Sequence, residues 1–170
     1  QLLNRKFHSK FSYFRTRFLR FLLLLATSTI GVAEPAGASV QSKKTALADL
    51  IKKAEKGDAE AQSELAWIYW YGLGVGENIY EAYSWAKKGA SKGNFFAEYV
   101  LASSLRVLEV EKDKKPWEKI YSELETKLSK YDLSSDPRLK LIHGVIIYSG
   151  YGEDPDKGFS LILEAGDSGD

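Results

Sequence analysis

His143 is the side chain best suited by type to act as a general base in this chain of 170 residues. The other imidazole, His8, lies far upstream in a basic, aromatic stretch. A base needs a nucleophile or acid at a productive spacing, and none accompanies His143. It stands where a helical apolar stripe would carry Leu, so an interior histidine is expected there rather than a catalyst. Glu60/Glu64 and Glu109/Glu111 are paired carboxylates of the kind that hydrolyse glycosidic bonds. Nothing in their sequence surroundings would raise one pKa against the other, so both pairs are expected to be solvated faces. Gly72-Leu73-Gly74-Val75-Gly76 has the glycine content of a phosphate loop. It follows a helical pattern rather than a strand and lacks the lysine such a loop requires, so it is expected to be a turn. Cys is absent, which excludes disulfides, thiol nucleophiles, cysteine-ligated zinc and iron–sulfur clusters. Two histidines are too few for a His-rich metal site, and no motif calls for a cofactor.

The elements that carry these residues repeat. Lys56-Gly57-Asp58-Ala59-Glu60-Ala61 recurs 36 residues later as Lys92-Gly93-Asn94-Phe95-Phe96-Ala97, and Gly169-Asp170 closes the chain. A fixed period of this length marks stacked like units. In the first unit Ala61, Leu65, Ala66 and Tyr69 form one stripe at helical spacing. Asp58 suits the start of that helix as a cap, and the glycines from Gly72 suit its end. A second helix over about residues 79–91 carries Ala82, Trp85, Ala86, Gly89 and Ala90 on one face. Ala97, Leu101, Ala102 and Leu105 repeat the first stripe. Leu108 then stands in the place of Gly72, and a charged stretch, Glu109 to Lys115, forms a loop or a lengthened helix end. Its Lys112-Asp113-Lys114-Lys115 is of mixed charge and no nucleic-acid patch. Pro116 suits the first turn of a helix running to about Lys130. The third unit matches through Leu139, His143, Gly144 and Ile147 at an offset of 78, then through Gly150-Tyr151-Gly152. A helix at about 45–56 precedes the first unit as a cap. The expected division is a leader at 1–38, a linker at 39–44 and a repeat domain at 45–170. Within that domain the units fall at about 57–92, 93–134 and 135–170.

Charge separates leader from body. Residues 1–38 hold six basic residues and one acid, whereas the rest hold 18 basic and 22 acidic residues. A mildly acidic body argues against a nucleic-acid partner. In the leader, Phe21 to Ala33 has the length of a signal-peptide core and falls short of the roughly 20 residues that span a bilayer. Ala36-Gly37-Ala38 offers the small residues a signal peptidase accepts, so cleavage before Ser39 is expected first and cleavage after Ala33 second. An uncleaved membrane anchor with its basic end in the cytoplasm is the alternative. With Gln1 at the start and no Met, the chain is expected to be a fragment or a short member of a longer-running family.

On Ala61, Leu65, Tyr69, Gly72, Gly74, Val75, Ala82, Trp85, Ala90, Gly93 and Ala97 the chain resembles the Sel1-like repeat family. Ala66, Asn78 and Glu81 depart mildly from that pattern, the second unit lacks its G-x-G turn, and the third lacks its Val and Trp. The resemblance spans about residues 45–170 and is strongest over 56–98. It implies an all-α fold, an α/α solenoid of antiparallel helix pairs akin to tetratricopeptide arrays. It also implies an adaptor or scaffold without catalysis of its own, placed in bacterial envelope processes, signalling or host contact. In such a solenoid the first helices line the concave side. The residues expected there for a protein or peptide partner are Glu60, Ser63, Glu64, Trp67, Trp70, Tyr71, Tyr99, Ser103, Arg106 and Tyr148. Aromatics and Arg dominate binding energy at interfaces. The plainer reading of Trp67 and Trp70 is that they fill gaps between units. A cell-wall-associated enzyme or enzyme-associated factor, related to peptidoglycan or β-lactams, is the runner-up. The family members linked with that biology carry cysteine-rich repeats, which this chain lacks.

Overall fold

The computed structural model describes residues 40–134 and 136–167, with side chains from 44 to 166. The leader, its cleavage sites and Gly169-Asp170 lie outside the described residues. Seven α-helices and no strand occur among them: α1 (Val40–Glu55), α2 (Ala59–Tyr71), α3 (Ile79–Ala90), α4 (Phe95–Val107), α5 (Pro116–Leu128), α6 (Pro137–Ile146) and α7 (Pro155–Asp167). A π-type turn, Ile147–Tyr151, extends α6. Because α1 opens at Val40, it takes in most of the stretch expected as a linker.

Short polar side chains start the helices by accepting from backbone N–H groups that have no partner inside the helix. Asp58 Oδ1 accepts from Ala61 N at 2.9 Å to open α2, and Asn94 Oδ1 accepts from Ala97 N at 3.1 Å to open α4. Asp136 does the same for α6, ahead of Pro137. Gly72 ends α2 with φ +67°, and Gly150 takes φ +93° at the corresponding place of the third unit. A side chain there would meet the left-handed penalty that glycine avoids. In the second unit Leu108 stays right-handed, with φ −77°. The left-handed positions pass to Glu109, Glu111 and Lys115, so the charged stretch is a set of turns and not a longer helix.

Successive helices pack as pairs, α2 on α3, α3 on α4, α4 on α5 and α6 on α7. This is an all-α array of antiparallel helix pairs repeated along the chain. Its core joins Leu65, Ala66, Trp85, Val100, Leu124, Leu128 and Ile142 through the three units. Buried side chains of this size each contribute about 1.5–3 kcal/mol. Polar tethers link helices between units and within the second one as well. Gln62 Nε2 donates to Ala54 O at 2.9 Å, Asn94 Nδ2 to Glu60 Oε2 at 2.9 Å, and Lys127 Nζ to Glu98 Oε1 at 2.7 Å.

Candidate functional site

Helical spacing brings Glu60, Glu64, Trp67 and Tyr71 to one stripe of α2. That stripe meets Phe96 and Tyr99 of α4. Trp67 lies 4.7 Å from Tyr71, 5.9 Å edge-on from Phe96 and 6.2 Å from Tyr99, ring centre to ring centre. Tyr99 continues to Tyr121 of α5 at 6.2 Å, and Tyr121 to Tyr151 of the π-type turn at 4.7 Å. A row of rings therefore crosses all three units. Aromatic pairs at these separations add about 0.5–1.5 kcal/mol beyond their burial.

Polar groups run along the row. The Ser103 hydroxyl and the Tyr121 hydroxyl share a hydrogen bond of 2.7 Å. The Arg106 guanidinium lies 5.8 Å from the Tyr121 ring centre, and its charge acts on the Tyr151 phenol. Arg138 stacks on Phe96 at 4.5 Å. Burial pushes all four phenols, Tyr71, Tyr99, Tyr121 and Tyr151, above their usual range, so each stays neutral through the physiological range. At the other end of the stripe Glu64 is raised by burial first and by Glu60 second, against the pull of Arg138 and Lys53. The arrangement can stack against a partner and hydrogen-bond to it.

The ten expected contact residues divide. Trp67, Trp70, Tyr71, Arg106 and Glu64 are half-buried and belong to the row or its edge, and Glu60 is exposed. Ser63, Tyr99 and Ser103 are interior, at 2 %, 7 % and 3 % exposure, which corrects their expected place on an open face. Tyr99 is a buried member of the row, and Ser103 bonds the Tyr121 hydroxyl beneath it. Tyr148 is exposed, but its ring partner is Phe159 of α7 at 6.2 Å rather than a member of the row. Trp67 does fill the gap between units, against Phe96 and Tyr99, while keeping part of its surface open. Sequence reasoning passed over Tyr121 as a core position and Tyr151 as part of a glycine turn. The aromatic inside the G-x-G of the third unit was the available signal for Tyr151.

His143 is interior, at 3 % exposure, so no substrate reaches its ring in this fold. Among the described residues no cluster of His, Asp and Glu is disposed to hold a metal ion.

Residues 59–94 match the family model of the Sel1 repeat. No curated protein and no solved structure matches the chain. The matched segment contains α2, the glycine turn, α3 and the start of the next unit.

Proposed function

We propose, from the Sel1 repeat at residues 59–94, that this chain is an exported bacterial adaptor that docks a protein or peptide along the row of rings. Sel1 repeats generally mediate protein–protein interaction. The finer reading rests on one observation. Trp67, Trp70, Tyr71 and Arg106, of the residue types richest in binding energy, meet at one inter-unit row while retaining exposed surface. Neutral phenols and a guanidinium beside them supply hydrogen-bond donors to a partner backbone or side chain. The leader supports export into the periplasm or beyond, with cleavage before Ser39 and membrane anchoring as the lesser alternative. Cell-envelope assembly, envelope signalling or host contact suits such a module. No observation favours the cell-wall enzyme reading, whose nominated base, His143, is interior.

The test is capture of a partner from envelope extract by the wild type and by the double variant Trp67→Ala, Trp70→Ala. Loss of the partner with the helical signal retained supports docking at the row. Undiminished capture by the folded variant refutes it.

A further inference from the structure

His143 takes the position that Leu65 holds in the first unit, and it is the sole imidazole after residue 8. Neither ring nitrogen has a hydrogen-bond partner, although the side chain is 3 % exposed. The facing acid is Glu125 of α5, with Oε1 3.7 Å from Nε2. That separation exceeds a hydrogen bond and leaves only charge attraction once the ring is protonated. From α7 the charge acting on the ring is Lys157, which opposes protonation. On its own helix Arg138 is tied to Asp136 at 3.3 Å, and Lys140 reaches Glu164 of α7 at 3.4 Å.

The location matters as much as the residue. Among successive helices, α5 and α6 pack most sparsely. Across this junction Tyr151 packs on Tyr121, Arg138 lies over Phe96 and His143 approaches Glu125, beside the shared apolar core that includes Leu139, Ile142 and Ile146. Tyr151 is also the third unit's member of the ring row.

We propose that His143 makes the junction between the second and third units an acid-released latch. Protonation loosens α6, the π-type turn and α7 from α5 and withdraws Tyr151 from the row. Control of docking by this latch rests on the docking reading above, whereas the latch itself does not. Burial disfavours the charged ring most, Lys157 adds to that, and Glu125 offsets part of it. The folded pKa is therefore below the ordinary 6.5. The loosened state binds the proton more readily, so the closed junction is fully favoured above pH 6.5 and is lost progressively as pH falls towards the lower, folded value.

Hydrogen exchange of the full chain at about pH 7.5 and about pH 5.5, corrected for intrinsic rates, reads the junction without any partner. In the wild type, protection of α6 and α7 relative to α2 and α3 falls on acidification. At about pH 5.5, one unit below the ordinary 6.5, the fall is at most about tenfold. His143→Leu keeps its protection at both pH values. Glu125→Gln falls further than the wild type, because the protonated ring loses its compensating charge; this arm still decides the matter if His143→Leu does not fold. Glu64 titrates in every variant and cancels. An equal acid response in His143→Leu, or tighter α6 and α7 in acid, overturns the latch. The exchange pattern is read without a partner, and capture is read at about pH 7.5 where the junction is closed, so failure of docking and failure of the latch are separable.

Discussion

Gly144 and Gly158 face each other across α6 and α7, and this contact sets how closely the third unit closes. A Cβ at position 144 would lie 2.7 Å from the Gly158 carbonyl oxygen and 2.9 Å from an Ile162 carbon. The oxygen is backbone and cannot swing aside, so the helices must separate. Gly144→Ala is expected to cost about 1–3 kcal/mol, the range for overpacking a tight interior. Gly76, where a Cβ meets nothing within 4 Å, is the control. Gly76→Ala is expected to stay within about 0.5 kcal/mol of the wild type, as surface changes do. Thermal melting of the two variants checks both. At this scale Trp67, Trp70, Tyr71 and Arg106 were legible as edge residues because their types and stripe agree. Ser63, Tyr99 and Ser103 were misplaced because one buried stripe per helix was assumed. In fact α4 touches α2, α3, α5 and α6, and nine of its residues are buried. A helix with neighbours on several sides is covered nearly all round, which a single amphipathic stripe does not describe.

Helix boundaries depend on local chemistry, and here the sequence is a good guide. Asp58 and Pro116 announce α2 and α5 because cap and first-turn preferences act over three or four residues. Asn94 does more than cap: it opens α4 and also holds Glu60 of the preceding unit. Asn94→Ala therefore removes two bonds and should cost about 0.5–2 kcal/mol, the range for losing a cap. Asn94→Asp keeps the cap acceptor but sets a carboxylate against Glu60, so its loss should be smaller than that of Asn94→Ala. Denaturant titration, with the midpoint shifting at constant slope, measures both. The linker at 39–44 was the poorer expectation, since the apolar pattern that marks a helix begins later than the helix itself. The turn after α4 was legible only as an exception. Without a glycine at 108, the chain reverses through left-handed Glu109 and Glu111, one and three positions on.

For the molecule as a whole, location and partner are coupled. The proposed export requires that the basic leader be either shed or kept as an anchor. Intact mass of the mature protein is expected to correspond to a chain beginning at Ser39, and a mass that retains residues 1–38 would instead place it as membrane-anchored. The row of rings draws on every unit: Trp67 and Tyr71 from the first, Tyr99 and Tyr121 from the second, Tyr151 from the third. A period of 36 residues, one stripe per helix and capping side chains were enough to establish an all-α repeat array, because each acts within a few residues along the chain. Which flank of each first helix stays open, and that a buried histidine faces Glu125 at the loosest junction, was decided only when the units stacked. Burial and charge environment at those positions come from residues tens of places away in sequence, and no local periodicity encodes them.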